Sequence, residues 1–152
     1  MIRSILFVCL GNICRSPVAE GVVGARARAR GLALRLDSAG TGRWHLGEPP
    51  YPPIIRAAAA RGYDLSDQRA RQVTARDFNS FDLLLAMDAE NLATLQALRP
   101  EGTPAPRLFT EALGRPGLTE VPDPYYTRDF DGVLDLVEEA AEALLDQLEA
   151  AG

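Results

Sequence analysis

Short apolar runs alternate along the chain with longer segments of helical periodicity. Residues 5–8 form a continuous apolar run before a glycine-containing turn, which is typical of a strand buried on both faces. Residues 32–37 alternate between apolar and polar side chains, and residues 82–87 contain three consecutive leucines. These two segments are predicted as the second and third strands, and residues 107–109 as a short fourth strand.

Helices are predicted in the longer segments, at residues 17–31, 53–61, 89–98 and 129–150. For the first helix, Ser16 is expected as the N-cap, Pro17 at the first helical position and Gly31 just past the last turn. Strands that alternate with helices imply right-handed crossovers and a parallel sheet covered on both faces. We therefore predict an α/β three-layer sandwich that binds its ligand at the carboxyl ends of the strands.

The composition limits the classes of protein that fit this chain. Its 152 residues, 47% hydrophobic and 24% charged, suit a single domain spanning residues 1–152. No segment is expected to span a membrane or to act as a secretion signal. The net charge of -5 argues against nucleic acid as a partner. The only two cysteines, Cys9 and Cys14, exclude a disulfide framework and favour a reducing cytoplasm.

The segment that joins the first strand to the first helix carries the strongest chemical signal. Gly11 and Asn12 can adopt positive φ, so the loop can direct several backbone amides at one bound oxyanion. Arg15 can grip two phosphate oxygens with its planar fork, and the helix N-terminus adds positive potential. The same groups favour a negative charge on the Cys9 sulfur, which the Ser16 hydroxyl is placed to hydrogen-bond. A cysteine that is merely buried at a strand end would not explain this combination.

Six segments in order along the chain resemble the low-molecular-weight protein tyrosine phosphatase family. They are VCLGNICRSPVAE at 8–20, DSAG at 37–40, Trp44, ARQV at 70–73, MDAENL at 87–92 and DPYY at 123–126. The resemblance implies a four-stranded parallel sheet flanked by helices, with a phosphate-binding loop between strand 1 and helix 1. It also implies hydrolysis of protein phosphotyrosine and aryl phosphates through a phosphocysteine intermediate on Cys9, without a metal or other cofactor.

An acid must protonate the leaving oxygen of a phosphate ester, because an expelled phenolate is far less stable than a phenol. Asp123 lies between two prolines, and its sequence context alone fits a turn aspartate as well as a catalytic one. The resemblance makes Asp123 the general acid and then the base that activates water. His45, the only histidine, is interpreted as an incidental loop residue.

The other expected site residues surround these three catalytic groups, Cys9, Arg15 and Asp123. Residues expected to contact the substrate are Leu10, Gly11, Asn12, Ile13, Cys14, Ser16, Trp44, Tyr125 and Tyr126. By resemblance, Asn12 and Ser38 brace the loop, and Cys14 is a redox partner that protects an oxidised Cys9. Gln68 departs from the family, which often has histidine at this position. No metal ligands are predicted.

Three alternatives accompany this prediction. An arsenate reductase uses the same fold and loop but needs a further cysteine pair, and no cysteine follows Cys14. A related branch acts on phosphoarginine and carries threonine where this chain has Ile13, so isoleucine favours phosphotyrosine. A non-catalytic oxyanion-binding module would not require Cys9, Arg15 and Asp123 together. The expected partner is a phosphotyrosine-containing protein or an aryl phosphate, and the chain is expected to be a monomer or to self-associate weakly.

Overall fold

The computed structural model describes residues 1–152 and contains one four-stranded parallel sheet with the strand order β2-β1-β3-β4. The strands are β1 Ser4–Cys9, β2 Arg35–Gly40, β3 Leu83–Ala86 and β4 Arg107–Leu108. Helices connect consecutive strands. The predicted α/β class, with a four-stranded parallel sheet flanked by helices, is confirmed.

The helices differ widely in length. They are α1 Arg15–Ala29, α2 Pro52–Ala59, α3 Asp77–Ser80, α4 Ala89–Leu98, α5 Pro124–Thr127 and α6 Phe130–Ala151, with a 3₁₀ helix at Phe109–Leu113. None of the helices combines the length and hydropathy needed to cross a membrane.

The central strand β1 is buried on both faces, which explains its unbroken apolar run. Ile5 and Phe7 belong to the larger core cluster, together with apolar side chains of α1 and α6. Leu6 and Val8 belong to a second cluster on the opposite face, beside Leu95 of α4. Successive side chains of a strand point to opposite faces, so β1 anchors both layers and places Cys9 at the carboxyl edge of the sheet.

Two local predictions were wrong. The second strand begins at Arg35 instead of residue 32, because the Leu32 amide donates to the Ala27 carbonyl and so completes the end of α1. The first helix begins at Arg15, and Ser16 is not its N-cap, because the Ser16 hydroxyl contacts the Cys9 sulfur instead. Gly31 does follow the helix, with a φ of 70° that suits glycine at this position.

Candidate active site

The β1–α1 loop approaches the end of strand β2 so closely that glycine is required there. Cys9 is paired in register with Gly40. A Cβ atom added at Gly40 would lie 2.8 Å from the Leu10 carbonyl oxygen and 3.2 Å from the Asn12 amide nitrogen. Any larger residue at position 40 would therefore displace the loop that begins at Cys9.

The Cys9 sulfur lies at the bottom of this loop, and its side chain is almost completely buried. The Asn12 amide donates to the sulfur over 3.3 Å, and the Ser16 hydroxyl lies 3.0 Å from it. Since α1 starts at Arg15, the sulfur also faces the N-terminal end of a 15-residue helix. These contacts stabilise a negative charge on the Cys9 sulfur.

Asn12 holds the loop in shape through a left-handed backbone conformation, with a φ of 57°. Its side-chain amide nitrogen donates to the Ser16 hydroxyl over 2.9 Å and to the Ser38 hydroxyl over 3.0 Å. Its side-chain oxygen accepts from the Arg71 amide over 3.0 Å. Asn12 thus joins the loop to α1, to β2 and to the segment that follows α2.

Arg15 is buried and fixed by acidic and carbonyl groups. Its Nη1 atom donates to Asp88 Oδ2 over 2.7 Å and to the Val121 carbonyl over 3.0 Å. Its Nη2 atom lies 3.5 Å from Asp123 Oδ2. Burial disfavours the charged guanidinium, but the negative Cys9, Asp88 and Asp123 groups outweigh it and raise the pKa of Arg15. The arginine therefore remains a cation beside the sulfur.

Asp123 lies at the N-terminus of the short helix α5. Its Oδ1 atom accepts a hydrogen bond of 3.1 Å from the Tyr125 amide, and Pro124 occupies the first helical position. The other carboxylate oxygen, Oδ2, faces Arg15. The side chain is 24% exposed, so it can reach a ligand above the loop.

A pocket of about 290 Å³ opens above the Cys9 sulfur between the loop and α5. Cys9, Arg15 and Asp123 all line it. The other predicted residues that line it are Leu10, Gly11, Ile13, Cys14, Trp44, Tyr125 and Tyr126. The side chains of Asn12 and Ser16 lie behind the pocket, because both are buried in hydrogen bonds to one another and to their neighbours. Trp44 and Tyr126 are largely exposed and form the mouth of the pocket.

Sequence reasoning missed two residues at this site. Asp88, the main partner of Arg15, also caps α4 by accepting from the Asn91 amide over 2.7 Å. Its position immediately after the third predicted strand, at the carboxyl edge of the sheet, was the available signal. His45 lines the pocket, with its Nδ1 atom 2.7 Å from Glu48 Oε2, although its loop position suggested no role.

The environment of Cys14 disfavours the thiolate form of its side chain. Burial, followed by the negative charges of Cys9 and Asp123, raises the pKa of Cys14 to about 12. Its thiol therefore stays protonated at neutral pH, which is unsuitable for a nucleophile. Both cysteines are free in the structure.

The partly buried carboxyl group of Glu20 connects to the loop through Ser38. The Ser38 hydroxyl donates to Glu20 Oε1 over 2.8 Å and accepts from the Asn12 side chain. Burial raises the pKa of Glu20 to about 7. Gln68, the residue that departs from the family pattern, donates to the Pro17 carbonyl over 3.0 Å, while its Oε1 atom is buried without a partner.

The chain matches the family model described as low molecular weight phosphotyrosine protein phosphatase over residues 4–152. It belongs to this family. The low molecular weight protein-tyrosine-phosphatase YfkJ of Bacillus subtilis is 39% identical over 149 residues, which cover 96% of each chain. The predicted family and enzyme class, a phosphatase of the low-molecular-weight type, are thus confirmed.

Solved structures of this phosphatase family have the same fold. The crystal structure of YfkJ from Bacillus subtilis superposes with a TM-score of 0.93 at 38% identity, and the match covers 99% of this chain and 97% of that one. The structure titled DARP, drosophila arginine phosphatase, gives a TM-score of 0.88 at 29% identity and covers 97% and 98% of the two chains. The same fold is therefore shared with a protein named as an arginine phosphatase.

Proposed function

We propose that this protein hydrolyses phosphotyrosine in proteins, and small aryl phosphates, with Cys9 as the nucleophile. The observation that carries the proposal is the arrangement around the Cys9 sulfur: a backbone amide and a hydroxyl in contact with it, and Arg15 linked to Asp123 across the same pocket. A dianionic phosphate group bound in this pocket would accept hydrogen bonds from the loop amides and from the Arg15 fork.

The first step transfers the phosphoryl group to sulfur. The Cys9 thiolate attacks phosphorus as the bond to the phenolic oxygen breaks, and the Asp123 carboxyl donates its proton to that oxygen. A bound phosphate dianion competes with Asp123 for the Arg15 guanidinium, which lies 3.5 Å from Asp123 Oδ2 in the structure. Arg15 and the loop amides stabilise the charge on the equatorial oxygens.

The second step releases inorganic phosphate. Water attacks the phosphocysteine while the Asp123 carboxylate takes a proton from it, and the phosphorus–sulfur bond breaks to regenerate the thiolate. The Ser16 hydroxyl, 3.0 Å from the sulfur, stabilises the departing thiolate. Asn12 and Ser38 keep the loop in the geometry that both steps need. The guanidinium and backbone dipoles supply the positive field, so we propose that no metal is needed.

The walls of the pocket favour an aromatic phosphate ester. Tyr125 lies beside Asp123, and Trp44 and Tyr126 flank the mouth, so a phenyl ring can bury its faces against them. Ile13 contributes an apolar side chain where the phosphoarginine branch carries threonine. These features support phosphotyrosine over phosphoarginine. The absence of any cysteine after Cys14 speaks against arsenate reduction, which needs a further cysteine pair.

We propose that residues 1–152 act as one catalytic domain on a phosphoprotein partner, in the cytoplasm, where both thiols stay reduced. A monomer or a weakly associating form is sufficient, because every group named above comes from one chain. The test compares peptides that contain phosphotyrosine, phosphoarginine or phosphoserine, with and without EDTA. The expected result is rapid, EDTA-insensitive release of phosphate from phosphotyrosine alone, and none from Cys9→Ser. Faster hydrolysis of phosphoarginine would contradict the proposed substrate, and residual turnover by Cys9→Ser would contradict the nucleophile.

A further inference from the structure

Tyr51, the residue that precedes α2, is attached to the β1–α1 loop. Its backbone amide donates to the Ile13 carbonyl over 2.8 Å. Its partly buried ring packs against the small cluster formed by Ile13, Cys14 and Ala70. Tyr51 is thus held in a fixed position relative to the loop that surrounds the Cys9 sulfur.

The other side of Tyr51 contacts the segment that carries Asp123. The Tyr51 ring centroid lies 5.2 Å from that of Tyr125, two residues after the acid. Arg128 Nη1 donates to the Tyr51 hydroxyl over 2.7 Å, and the guanidinium lies 5.5 Å from the centroid of the Tyr51 ring. Arg128 also lies 5.3 Å from the centroid of the Phe130 ring, at the start of α6. The Tyr51 side chain therefore contacts residues at both ends of α5, Tyr125 near its start and Arg128 at its end.

The short helix α5 depends on contacts with the rest of the protein to hold its position. The helix has only four residues, and Tyr125, Tyr126, Thr127 and Arg128 are all exposed. Arg128 ends it with a φ of 63°, which is unfavourable for a residue other than glycine and persists only where other contacts hold it. The hydrogen bond to Tyr51 and the stacking on Tyr51 and Phe130 are such contacts.

We propose that Tyr51 is a positioning residue for Asp123, setting the distance between the proton donor and the phosphate bound on the loop. The inference rests on the proposed role of Asp123 as general acid. Displacement of a catalytic group by about 1 Å can lower a rate by about 100-fold. Loss of the Tyr51 contacts between the β1–α1 loop and the segment that carries Asp123 should therefore have a measurable effect on the rate.

The effect of a misplaced acid depends on the leaving group. An acidic phenol such as p-nitrophenol leaves as its anion, whereas phenol needs the proton from Asp123. The quantity kcat/KM depends only on the steps up to departure of the phenol. It therefore includes proton donation by Asp123 and excludes the later hydrolysis of the phosphocysteine. Loss of Tyr51 therefore lowers kcat/KM for phenyl phosphate more than for p-nitrophenyl phosphate.

The experiment compares wild type with Tyr51→Ala and Tyr51→Phe across aryl phosphates of increasing leaving-group basicity. For Tyr51→Ala, the expected loss in kcat/KM is about 10-fold or more on phenyl phosphate and under about 2-fold on p-nitrophenyl phosphate. Tyr51→Phe keeps the ring and loses only the bond to Arg128, so its loss on phenyl phosphate is smaller. In an Asp123→Ala background, Tyr51→Ala should have no further effect on the leaving-group dependence.

Tyr63→Phe is the matched control. The Tyr63 hydroxyl also accepts hydrogen bonds from an arginine, Arg26, but it lies on the side of the molecule covered by α6. This variant should leave the leaving-group dependence unchanged. The inhibition constant of inorganic phosphate measures how well the β1–α1 loop binds phosphate. It should stay within about 2-fold of the wild-type value in both Tyr51 variants.

Two results would overturn the inference: an equal loss on all aryl phosphates, or a weakening of phosphate inhibition that accounts for the whole loss. The first would make Tyr51 a support for the pocket wall, and the second a support for the phosphate loop. Failure of the proposed function would look different, since wild type would then release no phosphate or would do so without Cys9.

Discussion

Asp88 Oδ2 lies 2.7 Å from Arg15 Nη1, and the other oxygen of the same carboxylate caps helix α4. One acidic side chain thus joins the phosphate-binding arginine to the helix that follows β3. Arg15 is almost fully buried and Asp88 is 16% exposed, so water screens this pair only weakly. The pair orients the guanidinium before any ligand binds.

Replacement of Asp88 by asparagine should impair both stability and phosphate binding. A single amide oxygen cannot serve Arg15 and cap α4 at the same time, so one of the two hydrogen bonds is lost. We expect a loss of about 1 to 3 kcal/mol in the free energy of unfolding and about a 10-fold weaker inhibition by inorganic phosphate. Urea unfolding and inhibition of p-nitrophenyl phosphate hydrolysis measure the two effects. Glu90→Gln, an exposed change in the same helix turn, is the control, and equal effects in both variants would contradict this account.

The sequence was sufficient for the fold and for the loop because both depend on local signals. The apolar run at 5–8 and the glycine, asparagine and arginine that follow are close in the chain, and their physical preferences agree. Asp88 and the Glu20–Ser38 contact were not predicted, because they depend on which side chains meet across different elements. The Ser16 error has the same origin, since its hydroxyl can either cap a helix or contact a sulfur seven residues away.

Removal of the proposed acid should affect turnover far more than stability. In Asp123→Ala no carboxyl remains to protonate the phenol, and we expect kcat/KM on phenyl phosphate to fall by about 10² to 10⁴. The loss on p-nitrophenyl phosphate should be smaller because its leaving group is less basic. Asp131→Ala, which removes an exposed aspartate of α6, serves as the control. A normal rate on phenyl phosphate in Asp123→Ala would show that another group donates the proton.

Cys14 should protect the nucleophile from irreversible oxidation. Peroxide converts the Cys9 thiolate to a sulfenic acid, which then condenses with the Cys14 thiol to a disulfide and water. Cys14→Ser should keep phosphatase activity but lose recovery by dithiothreitol after peroxide treatment. Burial and the nearby charge of Asp123 raise the pKa of Cys14 above its ordinary value, and both remain after Cys9 has been oxidised, so disulfide formation should accelerate as pH rises from 7 to 9. Mass spectrometry of the disulfide measures that rate, and equal recovery of both proteins would refute the protective role.

The partly buried carboxyl of Glu20 should make stability depend on pH. Its folded-state pKa is about 7, above the ordinary value of 4.5, so between these values the folded protein binds the proton more tightly than the unfolded chain. This contribution to stability is present below pH 4.5 and is lost as pH rises through 7.

Glu20→Gln removes this titration while keeping an amide that can accept a hydrogen bond from the Ser38 hydroxyl. Its free energy of unfolding, measured in urea from pH 5 to pH 8, should therefore rise relative to wild type as pH increases, because wild type alone loses the contribution of Glu20. Other titrating groups are common to both proteins and cancel in the difference. Glu90→Gln, at an exposed carboxyl, should give a profile parallel to wild type. A parallel profile for Glu20→Gln as well would mean that Glu20 is ionised in the folded protein throughout this range.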